Sequence, residues 1–429
     1  MNMGIVITSV FLGTLALGLP VAVCLGLTSV IGFASLNLSM DYVAQTAFTA
    51  VDDFTTIAVP MFMLAGSLME KGGLTLRLIN FAKSIVGRKA GGLAIVTIVA
   101  CTMFGAISGS GVATCAAIGS IVIPAMIREG YGADFAGAVT ACSGGVGAVI
   151  PPSILMIVFG VSAEASITAL FVGGIIPGIL LGLFLSTAAV IVSKKRKYKT
   201  DAPKMDFWDI VKAAWNAKWA LFTPILILGG IYGGVFTVTE ASVVSVVYAL
   251  FVVTFIYKEM SWNVFISSLI DAARSAGTIL LIITTGRMFG RLITVYQVPQ
   301  MASQFLVEYI SSPVVLVLVI DAFFLFIGMW MESSTQIIIL TPLLLPVLVS
   351  MGVNPVQFGI MFVIGCEIGF ETPPLGINLF VASELAGTTI EKISREALPF
   401  VLAESTVLVL VSLIPELSLF LPRLMGLIV

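Results

Sequence analysis

Two short stretches of this chain offer backbone chemistry that an unbroken helix cannot. Gly-Ala-Val-Ile-Pro-Pro at 147–152 and Gly-Phe-Glu-Thr-Pro-Pro at 369–374 each fall in the middle of a long apolar run. Proline lacks the N–H a helix needs and clashes with the preceding turn, while glycine permits unwound geometry. A helix broken there leaves up to about four orphan carbonyls on one side and four orphan N–H groups on the other. In hydrocarbon an unsatisfied backbone group is too costly to keep, so such a break is stable only against protein, water or a ligand. Carbonyls at the negative end of a half-helix suit a cation, and N–H groups at the positive end suit a carboxylate. A plain proline kink accounts for either break alone; a matched pair favours ion binding.

Two loop tips supply partner surfaces. The first, Gly105-Ala106-Ile107-Ser108-Gly109-Ser110-Gly111-Val112-Ala113-Thr114, combines small residues with hydroxyls on Ser108, Ser110 and Thr114. Small residues admit another backbone and the hydroxyls can meet ions or oxyanions, although close helix packing explains the same composition. In the second, Gly328-Met329-Trp330-Met331-Glu332-Ser333-Ser334-Thr335, Glu332 either completes a cation site, answers a substrate amine or hydroxyl, or is a solvated loop carboxylate. Ser153 follows Pro151-Pro152 at the start of a half-helix, well placed for an anionic group, and Asn378 lies one turn beyond Pro374. Arg287, with Arg291, can meet a carboxylate, or it snorkels or lines the cytoplasmic side. Glu367 and Glu371 flank the second break, and protonated, ligating and water-facing roles stay open for both.

The elements holding these residues must be membrane spans. Of 429 residues, 59% are hydrophobic and 10% charged, against about 25% charged in a soluble protein, and the mean hydropathy is +1.13. That excludes a soluble enzyme, a disordered chain and a nucleic-acid binder. The 21 basic and 23 acidic residues leave a net charge of −2 and no overall basic field. No histidine is present, which removes the commonest general base and metal ligand. The five cysteines are scattered in apolar stretches and read as small buried hydrophobes. No GxxxxGK[ST] nucleotide loop occurs. The chain runs from Met-Asn-Met-Gly straight into an apolar stretch, which reads as a retained first span.

Charge orients the spans. Eight of the basic residues lie between Lys194 and Lys218, so this connection is expected on the cytoplasmic side. Arg77, Lys83, Arg88, Lys89 and Arg128 should share it, which makes the apolar segment from Gly91 to Met126 a hairpin that enters and returns. Spans are expected near 4–33, 50–70, 133–163, 165–193, 219–236, 239–257, 276–297, 357–386 and 397–421, with a second hairpin at 313–352. Counting crossings puts the two hairpins on opposite faces. Segments 206–219 and 259–274 carry tryptophan on one helical face and read as interfacial helices.

An internal duplication ties these elements together. Pro124, Gly130, Gly147, Pro151, Pro152 and Pro177 recur as Pro346, Gly352, Gly369, Pro373, Pro374 and Pro399, each pair 222 residues apart. The repeated unit is a hairpin, a span interrupted at Gly…Pro-Pro, and a further span. With hairpins on opposite faces it is an inverted repeat, a mark of secondary transporters.

The string GAISGSGVATCAAIGSIVIPAM followed by GAVIPPSILMIVFG, together with TPPLGINLFVAS and GVFTVTEA at 234–241, resembles the large membrane subunit of tripartite ATP-independent periplasmic transporters. The resemblance covers essentially the whole chain. It implies an all-α polytopic membrane protein with two re-entrant hairpins and two broken helices. It also implies an elevator-type, sodium-coupled importer of organic acids in the bacterial inner membrane. Implied partners are a small four-helix membrane subunit, expected as a separate polypeptide, and a soluble periplasmic binding protein that delivers a small carboxylate. Two or more sodium ions are implied, with no nucleotide or redox cofactor.

Carried over by position, the first sodium site matches Ser108, Ser110, Gly147, Ile150 and Pro152. The symmetric one matches Glu332, Ser333, Thr335, Gly369, Thr372 and Pro374. Substrate would lie between them, near Ser108, Gly109 and Ser153, with Asn378 and Arg287 as further candidates. Departures from the family pattern are Glu332 in place of aspartate, Val238 in place of proline, and Glu371 where an apolar residue is usual. The expected division is scaffold spans over 1–90, transport-domain halves at 91–163 and 298–386, scaffold with the basic connection and interfacial helices over 164–297, and a scaffold span at 387–429. A stand-alone divalent-anion or citrate-type sodium symporter is the alternative. A channel with hairpins meeting at a filter is a third reading, and an intramembrane hydrolase finds no histidine to work with. Which acid is carried lies beyond these motifs.

Overall fold

A computed structural model describes residues 3–86, 91–198, 206–301, 304, 310 and 312–428. Arg88 and Lys89, and Lys199 and Lys204 of the basic connection, lie outside the described residues. The described residues form helices and no strands. The chain opens with α1 (Met3–Ala16), α2 (Val21–Ser35), α3 (Met40–Val51), α4 (Ala58–Lys71) and α5 (Leu74–Val86). A hairpin of α6 (Gly92–Ser108) and α7 (Gly111–Arg128) precedes the interrupted pair α8 (Ala133–Val149) and α9 (Ile154–Ala163). Then come α10 (Ile167–Lys195), α11 (Phe207–Tyr232), α12 (Val238–Phe251) and α13 (Trp262–Val295). A second hairpin, α14 (Pro313–Gly328) and α15 (Ser333–Ser350), leads into α16 (Pro355–Phe370) and α17 (Ile377–Ala386), followed by α18 (Ile390–Leu413) and α19 (Glu416–Leu424).

Among the described residues six helices are long and apolar enough to cross a membrane, or up to eight if each bent pair counts as one span. The bends are 55° between α3 and α4 and 45° between α8 and α9.

Local chemistry sets the ends. Ser110, Ser153 and Ser166 cap α7, α9 and α10 by accepting a backbone N–H, as short polar side chains do at an N-terminus. Thr237 and Glu240 form a reciprocal capping box at the start of α12. Gly109 closes α6 in the left-handed region at φ +64. Both hairpins and the Gly…Pro-Pro interruptions therefore lie where the sequence puts them.

Three expectations need correction. The span expected at 4–33 is two helices, because Gly18 turns left-handed at φ +74 and Pro20 follows it. The span expected at 397–421 stops at Leu413, and Pro415 starts a separate short helix. The segments 206–219 and 259–274 are not separate interfacial helices but the first turns of α11 and α13, since no breaker separates them from the following apolar run. Helices α3 and α5 were not expected. α5 is short and basic, and only one of its faces is apolar.

The packing is crosswise. The half-helix α9 of the first repeat packs on hairpin helix α15 of the second, and α17 of the second packs on α7 and α8 of the first. Helix α8 is the hub, in contact with α6, α7, α10, α16, α17 and α18, and every residue from Phe135 to Val149 is buried. Residues Val356–Phe370 of α16 are buried in the same way. Elsewhere α13 lies against α2, α3 and α4, and it also touches α15.

Candidate functional site

The first loop tip docks directly on the first break. The turn Ser108–Ser110 puts the carbonyl of Gly109 3.1 Å from the backbone N–H of Ile154, which donates to it. Glycine is needed here: a Cβ on Gly109 would come within 2.6 Å of the Pro152 carbonyl oxygen. Behind the tip α6 and α8 touch through bare backbone, since a Cβ on Gly105 would lie 2.2 Å from Gly147 Cα. Ser108 and Thr114 hydroxyls are 2.9 Å apart, and Thr114 also donates to the Ser110 carbonyl at 2.7 Å. Pro151 occupies the position whose N–H would serve the Gly147 carbonyl, and Pro152 the one that would serve Ala148. The Ala148 carbonyl recovers a donor from the Ser153 hydroxyl, which in turn accepts from Met156 N–H at 3.2 Å. Ile150 caps α8 and packs its side chain against Gly178 of α10.

The second pair repeats the design with different side chains. Leu375 N–H donates to the Met329 carbonyl at 3.0 Å, so this tip is also tied to its break. Gly328 and Gly369 meet backbone to backbone, a Cβ on Gly369 falling 2.4 Å from Gly328 Cα. Thr372 N–H turns back to the Gly369 carbonyl at 3.1 Å, and its hydroxyl donates to Ile368 at 2.8 Å. Pro373-Pro374, like Pro151-Pro152, is joined by a cis bond. The Glu332 carboxylate accepts from the N–H groups of Ser334 and Thr335 at 3.0 and 2.9 Å and from the Thr335 hydroxyl at 3.1 Å. Its role here is the N-cap of α15, the position Ser110 holds in the first half. The buried Ser333 hydroxyl has no hydrogen-bond partner.

Each tip–break pair therefore gathers four helix ends. The C-termini of α6 and α8 meet the N-termini of α7 and α9, and the C-termini of α14 and α16 meet the N-termini of α15 and α17. Two ends of each sign converge, giving one place for a cation against carbonyls and hydroxyls and one for an anion against N–H groups. In the second half the α17 N-terminus, at Gly376, carries no side-chain cap. The Ser333 hydroxyl in one half, and in the other the Gly147 carbonyl, which loses its helical donor to Pro151, fit an alkali cation.

The remaining sequence candidates separate. Ser108, Gly109, Ser110, Gly147, Ile150, Pro152 and Ser153 come together, as do Glu332, Ser333, Thr335, Gly369, Thr372 and Pro374. Asn378 instead reaches across the repeat, its side-chain amide donating to the Ala141 carbonyl at 3.4 Å while its Oδ1 is buried without a partner. Arg287 sits apart on α13, donating to the Val161 carbonyl at the end of α9 at 3.1 Å. It faces a cavity of about 450 Å³ shared with Tyr42, Thr49, Glu164 and Arg291. Arg291 is held there by the Tyr42 hydroxyl at 3.2 Å.

Several participants escape sequence reasoning. Gly105 and Gly328 form equivalent contacts but are one residue out of the 222-residue register, so the repeat search passes over them. Gln336 is fully buried and donates to the Met331 carbonyl at 2.7 Å, bracing the second tip. Cys142 of α8, Glu371 of the second break and Glu404 of α18 bring ligand atoms within 4.8 Å of one another, from positions no spacing rule connects.

A family model for the DctM component of tripartite ATP-independent periplasmic transporters matches residues 8–417. The isethionate TRAP transporter permease protein DctMQ of Oleidesulfovibrio alaskensis is 42% identical over 95% of this chain, and the chain spans 64% of that relative's length. The C4-dicarboxylate TRAP transporter large permease protein DctM of Vibrio cholerae is 36% identical, with 96% of each chain covered. The sialic acid TRAP transporter large permease protein SiaM of the same organism is also 36% identical, over 96% of this chain and 97% of that one. Among solved structures, the Alcanivorax borkumensis YdaH transporter shares the fold, with a TM-score of 0.66 at 16% identity over 87% of this chain and 88% of that one.

Proposed function

Because the chain belongs to the tripartite ATP-independent periplasmic transporter family as its DctM component, and is thus a multi-pass membrane transporter of organic acids rather than an enzyme, we propose that it imports its acid by sodium symport. The observation that carries this reading is the pair of docked tips and breaks. Sodium at Ser108, Ser110, Gly147, Ile150 and Pro152 would bind hairpin to broken helix, and a second ion at Ser333, Gly369, Thr372 and Pro374 would do the same in the other half. Glu332 acts by holding the second tip in shape. The acid group then lies between the tips, near Ser108, Gly109, Ser153 and Asn378, with Arg287 acting from the α13 side.

Relatives named for isethionate, C4-dicarboxylates and sialic acid all handle small oxyanions, so the cargo is a small acid of that kind. Membership implies a small membrane subunit and a periplasmic binding protein that delivers the cargo at a bacterial inner membrane. The crosswise bundle of hairpins and half-helices would slide as one body along α13 and the helices behind it. Each sodium ion moving down the membrane potential contributes about 2.3 kcal/mol per 100 mV.

The test is uptake of a radiolabelled acid into proteoliposomes containing this chain and its small subunit, with the binding protein outside. Uptake should need an inward sodium gradient, and uptake unchanged when potassium replaces sodium would overturn the coupling. Uptake of free acid without the binding protein would favour the stand-alone symporter instead.

A further inference from the structure

A cavity of about 870 Å³ between α5, the start of α11 and the segment after α12 takes no part in the tip–break reading. Four cations line it, Arg77, Lys83, Lys212 and Lys218, against two acids, Asp209 and Glu259. Both acids are engaged. Glu259 pairs with Arg77 at 2.8 Å, and Asp209 accepts from the Asp206 N–H at 3.0 Å in the capping box of α11. Arg77 is fixed further by the Gly73 carbonyl at 2.7 Å and by the Tyr257 ring, whose centre is 3.7 Å from the guanidinium. Lys218 lies 3.5 Å from the centre of the Trp215 ring. Among the described residues Lys83, Lys212 and Lys218 meet no carboxylate in an ion pair. The cavity therefore keeps an excess of positive charge, and Asn80 and Asn216 in its wall add neutral N–H donors.

The aromatic residues give its depth. Trp208 and Trp215 of α11 and Trp262 at the start of α13 are 73%, 67% and 74% exposed, and tryptophan exposed at the end of a membrane helix marks the headgroup level. The positive-inside rule assigns that end of α11 to the cytoplasmic leaflet, whose surface carries anionic lipid. We infer that the cavity binds an anionic phospholipid, phosphatidylglycerol or cardiolipin, with Lys83 and Lys212 receiving the headgroup phosphate and Lys218 beside them. Basic pockets between membrane helices on this side suit such headgroups, and the volume is within the range of small-ligand sites, about 300–1,000 Å³. A soluble phosphate would meet the same cations. The lipid is favoured because Leu76, 52% exposed, and Ile256 also line the cavity and offer the acyl chains an apolar surface that a soluble anion would leave bare. Bound there, the lipid clasps α5, with its single apolar face, to the start of α11.

The test is native mass spectrometry of the full-length chain purified with its small subunit, titrated in detergent with cardiolipin, phosphatidylglycerol or phosphatidylcholine. Wild type should hold one anionic lipid tightly and no phosphatidylcholine. Lys83→Gln and Lys212→Gln should each weaken that binding about fivefold, and the pair about twenty-five-fold, the worth of lysines facing an anionic headgroup. Lys83→Arg/Lys212→Arg keeps the charge and should keep the lipid. Lys194→Gln/Lys195→Gln on α10 removes the same charge elsewhere and should leave binding unchanged. Equal weakening by the two glutamine pairs would mean diffuse attraction to a basic face and overturns the site. Equally tight binding of phosphatidylcholine overturns the headgroup contact. Displacement of the lipid by millimolar inorganic phosphate assigns the cavity to a soluble anion and overturns the lipid. None of these readouts depends on sodium, so the result stands or falls apart from the tip–break reading.

Discussion

Gly105→Ala places a methyl group where the backbone of α8 already is. The new Cβ would stand 2.2 Å from Gly147 Cα and 3.2 Å from its carbonyl carbon and oxygen, whereas carbon atoms in contact sit about 3.5–4.0 Å apart. The two helices must part locally, and no flexible side chain lies between them to yield. Overpacking of this kind costs about 1–3 kcal/mol. Parting them also stretches the Ile154 N–H to Gly109 carbonyl bond, worth about 1 kcal/mol. The combined loss is roughly 2–4 kcal/mol by the same two rules. The control is Gly277→Ala on α13, where a Cβ meets nothing within 4 Å and the helix gains up to about 1 kcal/mol. Thermal unfolding of both variants in the same detergent, in sodium and in choline, gives the answer. Gly105→Ala should melt lower than wild type and lose sodium protection, and Gly277→Ala should melt at or above wild type. If Gly105→Ala were as stable and as sodium-responsive as Gly277→Ala, the claim that hairpin and break touch through bare backbone would fail.

Glu332→Ser should keep the α15 cap, as Ser110 does for α7, and preserve sodium binding, whereas Glu332→Ala should destabilise the protein by about 1 kcal/mol; sodium binding abolished by Glu332→Ser would make the carboxylate a ligand instead. Ser153→Ala removes the α9 cap and strips the Ala148 carbonyl of its donor, so a loss of at least about 1 kcal/mol is expected in a melt, with Ser153→Asn partly restoring it. Arg287→Ala should raise the substrate concentration for half-maximal uptake about tenfold, the equivalent of about 1.4 kcal/mol, while an unchanged value would remove Arg287 from the substrate path. The Lys71–Asp271 pair, 2.5 Å apart but 29% and 53% exposed, should show a coupling below about 1 kcal/mol in a double-mutant cycle.

What could be read in advance follows a physical division. Proline and glycine act on their own backbone, so the two Gly…Pro-Pro breaks and their common register appear in the string of letters. The expected spans failed where that rule was underused, at Gly18 and Pro20 and again at Pro415. The reverse error made two helices of α11, although Trp215 to Phe222 contains no breaker. Side-chain roles were harder to read because they depend on what arrives from elsewhere. The capping role of Glu332 rests on the N–H groups of Ser334 and Thr335, ordinary neighbours in sequence that no pattern singles out. Glu371 is intelligible only beside Cys142 and Glu404, brought together by three helices distant in the chain. Arg287 was placed in the right helix, but its partner, the Val161 carbonyl, is a backbone atom with no signature.

The interlocking of the two repeats also bears on how the chain is made. Ala141 of α8 accepts from Asn378, 237 positions later. At about 5–20 residues per second, α8 emerges tens of seconds before the segment that covers it. Throughout that interval α6, α7 and α10 can already line one side of α8, but the side that α16, α17 and α18 cover stands open, so the nascent protein depends on the insertion machinery to shelter an unfinished middle until the last third arrives.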